Sequence, residues 1–339
     1  MFQSEDELEE ALSTPTPEVV ETLFRRDGDL LVLGVAGKMG PSLARMARRA
    51  FDLAGQPHRR VIGVARFSAG TERTLQAQGI ETLRADLLHD PDLARLPDTP
   101  LVLFLAGRKF GSTGDEPTTW AQNVLVPALV ARRFRHSRIV ALSTGNVYGL
   151  TSVEGRGAVE TDPPEPVGEY AQSCLGRERM FQHASAAYGT AVALIRLNYA
   201  CDLRYGVLVD IAQQILAGQP VDVGMSAFNT IWQGDANAMI LRAFDHAASP
   251  AWYVNVTGPE TLFVREVAAE MARRFGRPVH FTGTEAPTAL LSNTDRAREL
   301  WGPPRVSAET LITWVVDWLQ RGGRTLRKPT HFSVRDGRF

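Results

Sequence analysis

The chain has 339 residues, a formal net charge of −1 at pH 7 and an isoelectric point near 6.7. A chain so close to neutrality has no broad basic surface for nucleic acid or an anionic membrane, and its apolar runs are much shorter than a membrane span. Residues 4–10 are acidic, unlike a signal peptide, and two cysteines make no disulfide framework, so we expect a soluble cytoplasmic protein with one large domain and a smaller one.

Residues 1–28 are predicted to form a helical N-terminal arm. Two short amphipathic patterns, at residues 6–12 and 17–24, are separated by the sequence Thr-Pro-Thr-Pro. These patterns indicate two helices that pack on the domain that follows. No residue in the arm has an evident chemical role.

A glycine-rich stretch follows a short apolar run at residues 30–33, which predicts a buried strand. Three glycines come next, and residues 42–49 favour a helix. Strand, Gly-x-x-Gly-x-x-Gly turn and helix together bind a dinucleotide pyrophosphate, because the glycines allow close approach and the helix N-terminus offers free N–H groups. The alternative is an ordinary glycine-rich turn. The cofactor residues predicted in this stretch are Gly34, Gly37, Lys38, Met39 and Gly40.

The end of the second predicted strand, residues 60–65, bears on the choice between NAD and NADP. NAD-binding folds place an Asp or Glu near this point to bind the ribose hydroxyls, but here Arg66 and Ser68 follow the strand. An arginine and a hydroxyl suit a 2′-phosphate, so the sequence favours NADP over NAD. The alternative is an exposed arginine on a loop.

Strands and helices continue to alternate, which predicts an α/β fold with a doubly wound parallel sheet. Asp86 follows a third strand, where a carboxylate could meet the adenine. Ala106 and Gly107 follow a fourth strand, where small residues let the backbone lie close to a ligand. Further strands are predicted at residues 101–105, 138–143, 191–197 and 252–256, and further helices at residues 118–134, 264–275 and 309–319.

In this order the motifs resemble those of the extended short-chain dehydrogenase/reductases, the NAD-dependent epimerase/dehydratase family, over about residues 30–318. The three glycines match the family's cofactor glycines. Asp86 and Leu87 match its adenine-side pair, and Asn123 falls on its helix asparagine. Ala106 and Gly107 stand where the family has a small-residue turn. The resemblance therefore assigns all of these residues to cofactor binding.

The turn at residues 142–149 is similar to the family's serine-rich turn before Val-Tyr-Gly. The resemblance places Thr144 at the catalytic Ser/Thr position. Tyr170, which stands 26 residues further on in a predicted helix, takes the position of the catalytic tyrosine. A proline-rich loop at residues 151–168 separates the two.

The resemblance also implies the overall organisation: a Rossmann-like doubly wound sheet with a smaller C-terminal substrate lobe, a bound NAD(P), a small-molecule substrate and a homodimer. The implied boundaries are 1–28 for the arm, 29–197 with 231–258 for the dinucleotide-binding domain, 198–230 with 259–323 for the lobe, and 324–339 for a C-terminal tail. The tail is basic with interspersed aromatic residues, and we expect it to be surface-packed or frayed rather than a binding element.

The sequence departs from the family at its motif lysine. Relatives have Tyr-x-x-x-Lys, and this chain has Cys174 four residues after Tyr170. In the family the lysine binds the nicotinamide ribose, and its charge lowers the pKa of the tyrosine. Without that charge, ionising a tyrosine of pKa ~10 at pH 7 costs about 4 kcal/mol. Arg177, on the same helical face, and Lys109, after the fourth strand, are candidate replacement cations; each could instead be a solvated surface charge.

Cys174 itself could act as a nucleophile, but a small buried hydrophobe is the commoner role of a single cysteine, and the same holds for Cys201. On the substrate side, Arg204 is the best single candidate for holding a diphosphate, and Asn198 matches the family only with a one-residue shift. The full set of candidate substrate residues is Lys109, Asn146, Asn198, Arg204 and Trp232.

Two functions from different classes remain open. The first is an NAD(P)-dependent oxidoreductase or epimerase that acts on a sugar-like or other hydroxylated small molecule through Thr144 and Tyr170. The second is a dinucleotide-binding sensor or assembly protein whose redox chemistry has decayed. The threonine and tyrosine favour the enzyme, whereas the missing lysine favours the second function.

Overall fold

The structure, a computed structural model, describes residues 2–67 and 70–339. The helices are α1 Glu5–Leu12, α2 Pro17–Phe24, α3 Gly40–Leu53, α4 Thr71–Ala77, α5 Asp90–Ala94, α6 Glu116–Trp120, α7 Val126–Arg133, α8 Gly168–Tyr188, α9 Val207–Leu216, α10 Gln233–Arg242, α11 Val264–Phe275, α12 Asp295–Trp301 and α13 Ala308–Gln320. The strands are β1 Leu30–Leu33, β2 Val61–Ala65, β3 Glu81–Arg84, β4 Leu101–Phe104, β5 Arg138–Thr144, β6 Thr151–Ser152, β7 Val192–Leu197, β8 Ala200–Cys201, β9 Val221–Asp222, β10 Ala227–Phe228, β11 Ile231–Trp232, β12 Trp252–Val256, β13 Leu262–Phe263, β14 Phe281–Thr282 and β15 Thr288–Ala289.

A seven-stranded parallel sheet forms the centre of the molecule, in the order β12-β7-β5-β4-β1-β2-β3. Strand β1 pairs with β2 on one side and β4 on the other, and all four of its residues are buried. A strand that is covered by helices on both faces needs apolar side chains on both, which explains the unbroken Leu-Leu-Val-Leu run. The predicted α/β doubly wound sheet is therefore confirmed.

The two helices predicted for the N-terminal arm are present as α1 and α2. Ser4 and Thr16 cap them, each accepting a hydrogen bond from the backbone N–H three residues on. Helix α2 packs against α3 and α10, and Thr22 and Arg26 of this region bind Asp245. The arm is thus attached to the helices that cover the central sheet.

A second hydrophobic core lies beside the sheet and belongs to the predicted substrate lobe. Helices α9, α11 and α13 pack on one another there, and α1 adds Leu8 and Leu12 to the same core. Short two-stranded ladders connect this core to the loops after the central strands. The sheet and the lobe meet at a narrow cleft at the carboxyl ends of the strands, which Asn146, Tyr199 and Met225 line.

The helix predicted over residues 118–134 differs from expectation. It consists of α6, a wider π-helical turn at Ala121–Leu125, and α7. Pro127 lacks an N–H group, so the hydrogen bond that would close a regular turn back to Asn123 cannot form. The wider turn brings Asn123 into the interior. Within the described residues, no helix has the length and apolar character needed to cross a membrane.

Candidate active site

The glycine corner has the geometry expected of a dinucleotide site. Gly34 has φ +88°, and a Cβ there would lie 2.7 Å from the backbone N of Ala106. A Cβ on Gly40 would overlap the carbonyl oxygen of Val35. These two glycines are needed for the turn itself.

Gly37 differs from the other two because it faces open space. A Cβ there would meet only the carbonyl oxygen of Gly34, at 3.4 Å, and Gly37 is exposed. Helix α3 begins directly afterwards, and Met39 at its N-terminus gives no side-chain cap. Open backbone in front of uncapped N–H groups is what a pyrophosphate requires, so these residues fit a bound dinucleotide.

Lysine side chains gather around this corner. The ammonium of Lys38 lies 3.5 Å from the ring centroid of Tyr205 and 4.4 Å from that of Phe110. Burial, together with the charges of Lys109 and Lys328, lowers the pKa of Lys38 to about 7, and Asp210 opposes this. Lys38, Lys109 and Lys328 are the three lysines among the 37 Lys and Arg residues of the chain, and all three adjoin this site.

At the predicted adenine end, Arg66 is exposed and its carbonyl oxygen accepts a hydrogen bond from Arg84. Ser68, the predicted partner of Arg66, lies outside the described residues. Asp86 uses one carboxylate oxygen to accept from the N–H of Leu88, which fixes the turn after β3. Leu87 is buried in the hydrophobic core on one face of the sheet.

The structure brings Thr144, Tyr170 and Cys174 together. Thr144 is the last residue of β5, and its hydroxyl accepts from the backbone N–H of Asn146 at 3.2 Å and from that residue's amide at 3.3 Å. Tyr170, in the first turn of α8, has Thr144 and Cys174 as hydrogen-bonding neighbours. Burial raises the pKa of Tyr170 well above its ordinary value, Cys174 adds to the rise, and Arg177 and Thr144 oppose it.

Arg177 is a buried cation directly behind this pair. Its guanidinium donates to the carbonyl oxygen of Leu142 at 2.9 Å and to Oδ1 of Asn123 at 2.8 Å, and it lies against Gly107. Its Nε is buried without a hydrogen-bond partner. Among the described residues no carboxylate forms an ion pair with it, so its positive charge acts on its surroundings, including Tyr170.

Lys109 also lies near Tyr170. Its ammonium lies 5.6 Å from the ring centroid of Tyr170 and donates to the carbonyl oxygen of Thr330 at 3.2 Å. Burial lowers the pKa of Lys109 to about 8, while Cys174 and Asp210 oppose this. Neither candidate cation is therefore a solvated surface charge.

Comparison with known proteins decides the family. The model of the NAD dependent epimerase/dehydratase family matches residues 30–227, more than half of the chain. The chain belongs to this family. Comparison with curated proteins gave no match.

Solved structures with the same fold agree with the family assignment. A UDP-glucuronic acid 4-epimerase from Bacillus cereus, in complex with UDP-glucuronic acid and NAD, is 18% identical with a TM-score of 0.71, over 86% of this chain and 99% of that one. The dTDP-glucose 4,6-dehydratase DesIV from Streptomyces venezuelae, with NAD bound, is 20% identical with a TM-score of 0.71, over 86% and 97%. A UDP-glucose 4-epimerase from Thermotoga maritima is 17% identical with a TM-score of 0.69, over 87% and 99%.

Asn123, at the position of the family's helix asparagine, has a structural role in this chain. Its Oδ1 accepts from the N–H of Arg108 and from Arg177, and its Nδ2 donates to the carbonyl oxygen of Arg108 and to Ser173. The side chain is fully buried and its donors and acceptors are all used. The expectation that Asn123 binds the cofactor is therefore corrected: it ties the loop after β4 to α8.

Three predicted substrate residues also have structural roles. Arg204 pairs with Asp202 at 2.8 Å and with Glu9 at 2.7 Å, so it holds the N-terminal arm rather than a diphosphate. Trp232 is buried against Phe2 and Trp314 in the lobe core. Asn198 is buried and donates to the carbonyl oxygen of Leu290.

Asn146 and Lys109 are the predicted substrate residues that do face the cleft. Cys201 is buried, burial raises the pKa of its thiol, and a Cβ on Gly206 would overlap its sulfur, all of which fit a structural role. Cys174 is likewise fully buried, and burial raises the pKa of its thiol. A nucleophilic thiolate needs the opposite shift.

The C-terminal tail is the part of the site that the sequence did not predict. It lies in the cleft rather than on the outer surface: Thr330, Phe332 and Gly337 are buried, and the ring of Phe339 packs edge-on against Tyr170 at 5.4 Å. The tail is packed on the fold and is not frayed, and its contacts with Tyr170 and Lys109 go beyond the expected surface packing. Its alternating aromatic and basic residues were the available signal.

A buried polar network beneath the catalytic turn was also missed. Glu178 of α8 accepts from Ser143 at 2.6 Å and forms an ion pair with Arg196 of β7 at 2.8 Å. Arg196 donates in turn to the hydroxyl of Tyr148, which donates to Asn255. The network fixes the end of β5 on both sides of Thr144.

Proposed function

We propose that this protein is an NAD(P)-dependent oxidoreductase or epimerase that acts on a hydroxyl or carbonyl group of a small, sugar-like or otherwise hydroxylated molecule. The observation that carries the proposal is the meeting of Thr144 and Tyr170 at the carboxyl end of β5, in the same parallel sheet whose strand β1 leads into the open backbone of Gly37. Family membership supports it, since the model that matches is one of epimerases and dehydratases.

The chain's own residues would hold the reacting group and move its proton. A bound nicotinamide would supply the hydride donor or acceptor. Gly34, Gly37 and Gly40 with the N-terminus of α3 would hold the pyrophosphate. The hydroxyls of Thr144 and Tyr170 would hydrogen-bond the substrate oxygen, and the oxygen of Tyr170 would accept or return its proton.

We infer that Arg177 supplies the positive charge that the motif lysine supplies elsewhere in the family. Residues 170, 174 and 177 lie on one face of α8, so the cation has moved by about one helical turn. Among the described residues the guanidinium of Arg177, which is 6% exposed, has no carboxylate partner, and its charge opposes the rise in the pKa of Tyr170 that burial causes. Because its hydrogen bonds go to Asn123 and Leu142, Arg177 positions and polarises rather than touches substrate.

The choice between NAD and NADP rests on Arg66. The neighbouring structures quoted above that name a dinucleotide name NAD, whereas the exposed arginine after β2 supports NADP. Calorimetric titration with both dinucleotides tests this, and Arg66→Ala should weaken NADP binding while leaving NAD binding unchanged. Equal affinities in the unmodified protein would contradict the argument from Arg66.

The experiment that tests the function is a screen of alcohols and carbonyl compounds for a change in nicotinamide absorbance, followed by three variants. Tyr170→Phe should abolish turnover while dinucleotide affinity stays unchanged. Arg177→Met should raise the pKa of Tyr170 and so move the limb of the pH–rate profile that reports it to higher pH, which is the acidic limb for alcohol oxidation and the basic limb for carbonyl reduction. Arg177→Lys should restore the profile. Turnover that survives Tyr170→Phe would refute the assignment.

A catalytically decayed dinucleotide-binding protein is the second candidate, and the contact of Phe339 with Tyr170 favours it. The two functions make opposite predictions for Cys174→Lys, which restores the family motif. In a decayed site the change should create activity where none exists. In a site that relies on Arg177, it adds a second buried cation and should lower both activity and stability.

We also infer a homodimer, which the family resemblance implies through helices that include α8. Trp120 and Leu125, which are 39% and 49% exposed, lie on the neighbouring helical segment and support such a contact. Sedimentation equilibrium should give twice the mass of the chain.

A further inference from the structure

The tail is attached to both walls of the cleft. On the lobe side, the N–H and hydroxyl of Thr330 donate to Asp210 of α9 at 2.7 and 2.6 Å. Phe332 inserts into the lobe core, where its ring lies 6.3 Å from that of Phe228. On the sheet side, the carbonyl oxygen of Thr330 accepts from Lys109. The segment therefore bridges the cleft instead of lying along one edge.

A second set of contacts fixes the following residues. Arg335 donates to the carbonyl oxygen of Thr288 at 2.6 Å, to its hydroxyl at 2.7 Å and to the carbonyl oxygen of Gly224 at 3.3 Å. The backbone of Gly337, at φ +73°, packs against that of Gly168 so closely that a Cβ on Gly337 would overlap Val167. Such a backbone contact leaves no room for water between the tail and the start of α8.

The end of the tail covers the catalytic tyrosine. The ring of Phe339 lies 5.4 Å from that of Tyr170 and 4.2 Å from the ammonium of Lys109. Its main-chain oxygen accepts from the N–H of Thr113 and the hydroxyl of Ser112, both at 3.3 Å. The tail thus makes hydrogen bonds or ring contacts to the loop after β4, to α8 and to the lobe.

The cavity between the tail and the turn after β5 is small. The cavity bounded by Asn146, Tyr199 and the tail residues Val334, Arg335 and Phe339 has a volume of about 30 Å³. That is room for a single water molecule, whereas a site for a ligand of the size of a sugar nucleotide has on the order of 300–1,000 Å³.

We propose that the tail is a fixed wall of the substrate site that excludes nucleotide-linked sugars and restricts this enzyme to small substrates without a nucleotide diphosphate. The proposal rests on the proposed function, because it assumes that Tyr170 is the reacting group. The tail is a fixed wall and not a mobile cover, because its buried polar groups form hydrogen bonds with the rest of the fold. A small substrate needs only the ring of Phe339 to move, since Thr330 and Arg335 hold the chain on either side of Phe332.

The test uses the full chain loaded with NAD and measures the binding of UDP-glucose by calorimetry. The double variant Arg335→Ala/Phe339→Ala removes the second set of contacts and the ring over Tyr170, and Phe339→Ala alone serves if the double variant does not fold. Arg338→Ala is the matched control, because this neighbouring side chain is exposed. NAD affinity is measured in every sample.

The unmodified protein and the control should bind UDP-glucose no more tightly than millimolar, and the variants at least about tenfold more tightly. Micromolar binding of UDP-glucose by the unmodified protein would overturn the proposal. So would folded variants that bind it no better than the control. NADP affinity is measured beside NAD affinity. If neither dinucleotide binds to any sample, the proposed function fails; if a dinucleotide binds normally and UDP-glucose binds equally to all samples, only the wall is refuted.

Discussion

The ion pair between Glu178 and Arg196 gives a sharp test of how the catalytic turn is held. Their side chains are 0% and 4% exposed, and Ser143 and Tyr148 are hydrogen-bonded to the pair. Glu178→Gln keeps the shape of the side chain but removes its charge. Arg196 then remains as a buried guanidinium without a counter-ion, which typically costs about 3–5 kcal/mol.

The expected change in melting temperature follows from the length of the chain. An unfolding entropy of about 2.1 cal/mol/K per residue gives about 0.7 kcal/mol/K for 339 residues, so a loss of about 3–5 kcal/mol lowers Tm by about 4–7 °C. Scanning calorimetry measures this directly. Because the pair is buried, the decrease should be nearly independent of salt.

Two comparisons isolate the cause. Glu285→Gln removes one partner of an exposed pair, with side chains 46% and 44% exposed, and should lower Tm by no more than about 1 °C. Glu178→Gln/Arg196→Met removes both buried charges and should be less destabilised than Glu178→Gln alone. If Glu178→Gln lowers Tm no more than Glu285→Gln does, the argument that this pair holds the turn is wrong.

Other variants separate ligand binding from folding. Gly37→Ala should weaken dinucleotide binding with little effect on Tm, because its Cβ enters open space. Gly40→Ala should lower Tm, because its Cβ overlaps Val35. Binding titrations and melting curves distinguish the two variants, and equal effects of the two changes on Tm would contradict this account. The pKa of Lys109 is lowered to about 8 in the folded protein, below its value in an unfolded chain. Between about pH 8 and pH 10 the unfolded chain therefore holds more protons than the folded protein, so the free energy of unfolding rises with pH. Lys109→Met should reduce this increase in the free energy of unfolding by no more than about 3 kcal/mol, as measured by urea unfolding across the same pH range. If the dependence of the free energy of unfolding on pH does not change, Lys109 is not buried as described.

Local sequence signals were sufficient for the sheet and for the glycine corner. The strand at residues 30–33, the turn at Gly34 and the helix after Gly40 are contiguous in the chain, so apolar patterning and turn chemistry predict them together. The same holds for Thr144, which directly ends β5. The helix around Asn123 was predicted, but its π-helical turn was not, because apolar periodicity does not show whether a proline inside a helix widens a turn.

Contacts between distant residues could not be read in this way. Arg204 looked like a diphosphate ligand because nothing local shows that Glu9, from the N-terminal arm, pairs with it. Phe339 reaches Tyr170 across 169 positions of sequence, and no periodicity encodes that contact. Side-chain partners that come together only in the folded chain are set by topology, which composition and spacing leave open.

The loss of the motif lysine and the presence of Arg177 have one physical explanation. Cys174 is fully buried among Val147, Tyr148 and Ala158, so a lysine there would place a second cation beside a guanidinium that already lacks a carboxylate partner. Two buried like charges on one face of a helix repel each other, and each is costly to desolvate. On the proposal that Arg177 supplies the positive charge, a small apolar residue at position 174 avoids this repulsion, so the cysteine is compatible with an active site.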